Sequence, residues 1–133
     1  MLELARVIAG RSTCRRRAVG AVAVDSYGRV LSMGHNGVPR GQAHCADFPC
    51  SGFKSPSGVD LGACQAVHAE MNALLFCPDV MKIDTLYVTT SPCLLCTRMI
   101  LNTSCRRIIY DEVYDQEAIE WLTSQGATVE KLP

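Results

Sequence analysis

The chain has 133 residues, of which 48% are hydrophobic and 20% charged, and its formal net charge at pH 7 is zero. This length fits a single domain spanning 1–133, and the composition excludes a disordered polymer. The balanced charge argues against a stable nucleic-acid partner, which would call for a cationic excess. No stretch approaches the ~18 consecutive apolar residues of a membrane helix, so we expect no membrane partner.

The hydrophobic pattern predicts alternating helices and strands. Apolar side chains at helical spacing predict a helix in the first ten residues, ending at Gly10. Residues 19–24 and 29–33 predict a β-hairpin, and the Gly/Pro/Ser/Cys-rich stretch from 34 to about 62 shows no period. Later segments predict a helix over 67–77, a strand over 85–90, a helix over 94–101, a strand over 107–110, a helix over 116–124 and an edge strand at 128–129. This alternation predicts an α/β domain with helices covering the sheet.

Eight cysteines are unusual for a chain of this length. The first six residues place Glu3 and Arg6 in a short apolar run, which is not the pattern of a signal peptide. We therefore expect a cytoplasmic protein whose cysteines are metal ligands or buried thiols rather than disulfides. Cys77 and Cys105 lie on predicted core faces and are interpreted as packing residues.

Two motifs carry the chemistry, His68-Ala69-Glu70 at a predicted helix start and Pro92-Cys93-Leu94-Leu95-Cys96 between a strand and a helix. Cysteines three apart in a first helical turn can converge on one metal, and the helix N-terminus favours their thiolates. One His and two Cys leave the fourth position of a tetrahedral zinc open for water, which zinc makes acidic. Glu70 is placed to move protons without binding the metal.

Each motif alone has a plainer interpretation, because a Cys-x-x-Cys pair can be redox-active or structural and a lone His is often a packed side chain. Together and in this order they match the H-x-E…P-C-x-x-C pattern of zinc nucleobase deaminases. The sequence also resembles the deoxycytidylate (dCMP) deaminases of bacterial, archaeal and phage type along nearly its whole length. The resemblance is carried by residues 11–22, 34–41, His44-Cys45, Cys50, Cys64, 68–73 and 90–96. His35 departs from the family, which usually has Tyr there, and Leu94-Leu95 is more apolar than the usual pair.

The resemblance implies a three-layer, cytidine-deaminase-like α/β sandwich with a mixed sheet of about five strands and helices on both faces. It implies a homohexamer that converts dCMP to dUMP for thymidylate supply, with dCTP and dTTP as effectors bound with Mg. Asn72 resembles the deoxycytidylate group, whereas small nucleoside deaminases typically have Cys at the position of His68. The residues expected at the substrate are Asn36, Arg40, Ala69, Asn72, Ser91 and Tyr114.

Three further groups of residues each have two possible interpretations. Residues 34–41 supply backbone N–H groups, an amide and a guanidinium that suit sugar and phosphate, or they form a plain turn. Arg16 and Arg17 are candidates for an effector phosphate, or part of a solvated basic run. A second, structural zinc is expected from four cysteines, with His44 as a substitute ligand, or some of these are buried thiols. Those cysteines are Cys14, Cys45, Cys50 and Cys64.

The alternative functions are a deaminase of dCTP, of a modified cytidylate or of a tRNA adenosine, and a non-catalytic zinc module. Zero net charge counts against the tRNA substrate, since tRNA contacts need a basic face. A purely structural zinc module would leave Glu70, beside an open three-ligand site, without a purpose.

Overall fold

Five strands and four α-helices alternate along the chain in the computed structural model, which describes residues 1–14, 16–45, 47 and 65–132. Their bounds are α1 Leu2–Ala9, β1 Gly20–Val24, β2 Val30–His35, α2 Ala69–Leu75, β3 Thr85–Thr90, α3 Leu94–Leu101, β4 Arg107–Glu112, α4 Gln116–Ser124 and β5 Thr128–Lys131. A short 3-10 helix, Val80–Lys82, follows α2 and was not predicted from the sequence.

The strands form one mixed sheet in the order β2-β1-β3-β4-β5. The hairpin strand β1 runs antiparallel to both β2 and β3, whereas β3, β4 and β5 are mutually parallel neighbours. The pairs β3–β4 and β4–β5 are parallel because α3 and α4 are crossover helices, each of which returns the chain to the edge of the sheet where the preceding strand began. Helices α2 and α3 contact each other, and α3 begins shortly after the end of β3.

The helices cover both faces of the sheet, as predicted. On one face, Leu2 and Ala5 of α1 pack on Val22 and Val24 of β1. On the other face, α2, α3 and α4 share one core with the inward side chains of β1, β3 and β4. That core includes Ala21, Ala23, Ala69, Ala73, Leu86, Val88, Ile100, Ile108, Ile119 and Leu122. The fold class expected from the sequence is therefore confirmed.

Two glycines let helices lie directly against the sheet. A Cβ at Gly34 of β2 would stand 2.5 Å from the backbone nitrogen of Ala73 in α2. A Cβ at Gly20 of β1 would stand 2.6 Å from the backbone nitrogen of Ala9 in α1. Both distances are below those that real Cβ atoms adopt, so each glycine sets the height of a helix above the sheet.

The boundary of α2 differs from the sequence prediction for a specific reason. The helix was predicted from Val67, but Val67 instead forms an isolated bridge with Gly37 through two backbone hydrogen bonds of 2.8 and 3.2 Å. The helix can begin only after His68, whose backbone is extended. Cys105 is buried as predicted, and Cys77 packs partly buried against the same core. No helix of the described residues has the length and apolar character to cross a membrane.

Candidate active site

The three predicted zinc ligands lie where two helices begin. His68 is the N-cap residue of α2 and Cys93 that of α3, while Cys96 lies in the first turn of α3. Neither cap residue uses its side chain to bind the helix N-terminus, so both side chains are left to point into the space between the helices. Buried Pro92 begins the turn from β3 into α3 that brings Cys93 to this position.

The distances between these side chains fit a zinc ion. His68 Nδ1 lies 3.6 Å from Cys93 Sγ and 3.4 Å from Cys96 Sγ. A tetrahedral zinc with its usual Zn–N and Zn–S bonds holds nitrogen and sulfur about 3.5 Å apart. All three ligand atoms lie within 4.8 Å of one another, and no other such cluster occurs in the described part of the chain. The donor set and its spacing therefore suit one zinc ion with a fourth position left open.

The electrostatics of the cluster favour thiolate at this position. The pKa of Cys93 is lowered to about 4, mainly by a hydrogen bond from the Cys96 thiol and further by His68, against the effect of burial. The pKa of Cys96 is raised by that same hydrogen bond and by burial. The pKa of His68 is raised by its hydrogen bond with Cys93. Without a metal, only one of the two cysteines is readily deprotonated, because its thiolate accepts a hydrogen bond from the thiol of the other. A divalent cation would stabilise both thiolates at once.

Glu70 lies buried beside this cluster, only 5% exposed. Burial raises the pKa of its carboxyl to about 7, opposed by its own backbone N–H and by the charge of His68. A carboxyl with a pKa near neutrality can both accept and return a proton, which is the property that a general acid–base group requires.

An open cleft lies in front of the ligands. Glu70, His68 and Cys93 line it. Six more residues singled out from the sequence also line it: Arg16, Arg17, Asn36, Ala69, Ser91 and Tyr114. The two arginines, expected at an effector phosphate, thus lie in the same cleft as the metal ligands. Sequence reasoning did not anticipate Val19, Ala66 and Thr90 there, and Cys14, expected at a second zinc, lines the cleft as well.

Two of the residues expected at the substrate lie elsewhere. Asn72 is not among the described residues lining the cleft, and its amide donates a 2.8 Å hydrogen bond to the backbone oxygen of His35. Residues two apart on a helix face different directions, so a helix that turns Glu70 into the cleft turns Asn72 towards β2. Arg40 is exposed in the turn after Pro39 and does not line the cleft either.

Asn36 has a second use in the structure. Its Oδ1 accepts a 2.8 Å hydrogen bond from the backbone N–H of Val19, and its Nδ2 donates a 2.7 Å bond to the backbone oxygen of Arg17. The amide thereby fixes the chain that carries Arg17 into the cleft.

The side chain of Arg17 is held by an aromatic ring. Its guanidinium carbon lies 5.0 Å from the ring centroid of Tyr114, within the range of a cation–π contact. Arg17 Nη1 is the one buried side-chain nitrogen or oxygen of the described residues that lacks a hydrogen-bond partner. The pKa of Tyr114 is raised by burial and by the charge of Cys93, although both arginines oppose the shift.

The proposed structural zinc falls partly outside the described residues, because Cys50 and Cys64 lie there. Of the other candidates, Cys14 is half-buried, Cys45 is buried and His44 is exposed.

Comparison with known proteins agrees with this site. A family model described as the cytidine and deoxycytidylate deaminase zinc-binding region matches residues 1–112. The chain belongs to this family. The deoxycytidylate deaminase of Mycobacterium phage D29 is 42% identical over 115 residues, covering 82% of this chain and 89% of the phage protein. That of Saccharomyces cerevisiae is 36% identical over 132 residues, covering 96% of this chain but only 42% of the yeast protein.

Solved structures of this deaminase family show the same fold. The dCMP deaminase of cyanophage S-TIM5 matches with a TM-score of 0.77 at 29% identity, over 98% of this chain and 93% of the phage chain. The same phage enzyme in complex with dCMP and dUMP matches with a TM-score of 0.76.

Proposed function

We propose that this deaminase hydrolyses dCMP to dUMP and ammonia. The observation that carries the proposal is the placement of a three-residue cluster suited to zinc, a buried carboxyl and an arginine with a buried Nη1 in one cleft. The named activity of the phage and yeast relatives, and the dCMP and dUMP bound to the cyanophage enzyme, support cytidylate as the substrate class.

His68, Cys93 and Cys96 would hold the zinc, which when bound supplies the Lewis acid that activates a water molecule. Glu70 takes a proton from that water and delivers it to the ring nitrogen N3, which makes C4 of cytosine electrophilic. The oxygen of that water bonds to C4, and Glu70 then carries the proton of the new hydroxyl to the amino group, so that the C4–N bond breaks, ammonia leaves and the carbonyl of uracil forms. Water supplies the oxygen, and no redox partner is needed.

Arg17 provides a basis for recognising the phosphate. Its unpartnered Nη1 is buried in the described part of the cleft wall, and a buried cationic nitrogen gains a charge-assisted hydrogen bond when an anion binds. Arg16 lines the same cleft and adds positive charge. A nucleotide would therefore bind better than the corresponding nucleoside.

Other expectations from the sequence and the resemblance remain predictions: dCTP and dTTP effectors with Mg, a homohexamer, a cytoplasmic location and a second zinc at Cys14, Cys45, Cys50 and Cys64. Assembly between copies has support from exposed apolar side chains. Leu75, Phe76 and Met81 are 68%, 64% and 62% exposed, and an interface would remove them from water.

A substrate panel tests the proposal. The zinc-loaded protein is incubated with dCMP, dCTP, deoxycytidine and cytidine monophosphate, and the loss of cytosine absorbance is followed. We expect dCMP to be the best substrate. Glu70→Gln should keep its zinc and bind dCMP while kcat falls by about 10²–10⁴, as for the loss of a general acid–base group. Normal turnover by Glu70→Gln would rule out its role, and a preference for dCTP would reassign the substrate.

A further inference from the structure

Ser91 connects the segment that carries Cys93 with the segment that carries Tyr114, the residue that stacks on Arg17. It follows β3 directly and precedes Pro92 and Cys93, and it is only 1% exposed. Its backbone N–H donates a 2.8 Å hydrogen bond to the carbonyl oxygen of Glu112, the last residue of β4. This bond joins the carboxyl ends of two parallel strands and anchors the backbone of Ser91 to β4.

The hydroxyl of Ser91 fixes the segment that follows β4. Ser91 Oγ accepts the backbone N–H of Tyr114 at 2.8 Å and that of Asp115 at 3.3 Å. Asp115 is in turn the N-cap of α4, where its carboxylate accepts the backbone N–H of Ala118 at 3.0 Å. One buried oxygen thereby sets the backbone position from which the Tyr114 ring reaches the cleft.

Tyr114 then holds Arg17 by its ring, while Asn36 holds the Arg17 backbone from the other side. Arginine has several freely rotating bonds, and ordering it costs conformational entropy each time a ligand binds. A guanidinium already stacked on a fixed ring has lost much of that freedom before the ligand arrives, which favours binding.

We propose that Ser91 is a positioning residue for nucleotide specificity: through Tyr114 it holds the Arg17 guanidinium ready for the substrate's phosphate. The proposal rests on the proposed cytidylate function, and it adds a residue that acts through others rather than by touching the phosphate. Loosening this arrangement should weaken phosphate-bearing ligands more than their nucleosides, because the nucleoside has no group for Arg17 to bind.

The test compares kcat/KM for dCMP with kcat/KM for deoxycytidine in the zinc-loaded protein. Ser91→Ala and Tyr114→Leu should lower this ratio by about three- to thirty-fold, the range of one cation–π contact converted to affinity, chiefly through KM for dCMP. Tyr114→Phe keeps the aromatic face, so it should lower the ratio less than Tyr114→Leu does.

Thr103→Ala is the matched control. Thr103 is also buried, and its Oγ1 accepts a backbone N–H, that of Cys105 at 3.1 Å, but it lies in the turn after α3, away from the cleft. Its loss should reduce stability and leave the ratio unchanged. If Ser91→Ala lowered kcat/KM for both substrates equally, or if Tyr114→Leu kept the wild-type ratio, the proposal would be overturned.

A second readout separates this proposal from the proposed function. Calorimetry gives the ratio of the affinities for dUMP and deoxyuridine in each variant without requiring turnover. A wild-type protein that deaminates nothing but binds dUMP better than deoxyuridine, with the difference reduced in Ser91→Ala, would refute the deaminase function and keep the positioning role. A wild-type protein that binds both equally would refute the positioning role.

Discussion

Replacing Gly34 with alanine tests whether the height of α2 above the sheet sets the zinc site. The added Cβ would stand 2.5 Å from the backbone nitrogen of Ala73 and 3.0 Å from the backbone carbon of Asn72. Ordinary contact begins at 3.4 Å, so α2 has to retreat by roughly 1 Å, a case of overpacking that costs about 1–3 kcal/mol of stability. His68 and Glu70 stand at the start of that helix and would move with it.

A zinc site tolerates only ligand displacements much smaller than this shift of α2. Metal–ligand distances hold within roughly 0.2 Å, whereas Cys93 and Cys96 belong to α3 and would stay in place. We expect Gly34→Ala to lower zinc affinity about ten- to a hundred-fold, the usual effect of disturbing the groups that orient a ligand. Competition with a chromophoric chelator measures the affinity, and thermal denaturation of the zinc-free protein measures the stability.

Gly20→Ala is the matched comparison, because it presses equally hard on α1, at 2.6 Å from the backbone nitrogen of Ala9. That helix lies on the opposite face and carries none of the three ligands. Gly20→Ala should lose similar stability and keep its zinc affinity. Equal loss of zinc affinity in the two variants, or a Gly34→Ala variant that is destabilised yet binds zinc normally, would refute the reasoning.

Two further predictions concern stability. Burial raises the pKa of the Cys105 thiol from 9.0 to about 11, so the folded chain keeps a proton that the unfolded chain releases. The resulting stabilisation is complete below pH 9 and is lost towards pH 11 at up to roughly 1.4 kcal/mol per pH unit; Cys105→Ala should make the fall of stability over this pH range less steep in urea denaturation, and an unchanged slope would contradict it. Leu122→Ala, at a fully buried position of α4, should cost about 2–5 kcal/mol, whereas Val7→Ala, at a 70% exposed position of α1, should cost little; equal denaturation midpoints would refute this.

The sequence predicted which three side chains cluster, because each of them lies beside a local signal. His68 stands where the helical pattern of α2 begins. Cys93 follows Pro92, which separates the apolar run of β3 from that of α3, and Cys96 comes one helical turn later. Such junctions depend on neighbouring residues, which one sequence displays. The same holds for the hairpin β1–β2 and for the strands that alternate with α3 and α4.

The walls of the cleft depend instead on contacts that the sequence does not display. The stacking of Arg17 on Tyr114 joins residues from opposite ends of the chain, and the hydroxyl of Ser91 has no local feature to mark it as the support of that ring. Arg40 illustrates the converse, since its Gly/Pro-rich surroundings suited a nucleotide but the structure leaves it exposed outside the cleft. Composition identifies the groups that could bind a nucleotide, and tertiary packing decides which of them reach it.

The bridge between Gly37 and Val67 has a consequence for the order in which the cleft forms during folding. Its two reciprocal hydrogen bonds join residues thirty positions apart in the sequence and end one residue before His68. Closing a loop of this length costs conformational entropy that the contacts formed afterwards have to repay. We therefore expect His68 to reach the two cysteines only after this closure, whereas Cys93 and Cys96 come together as soon as the first turn of α3 forms.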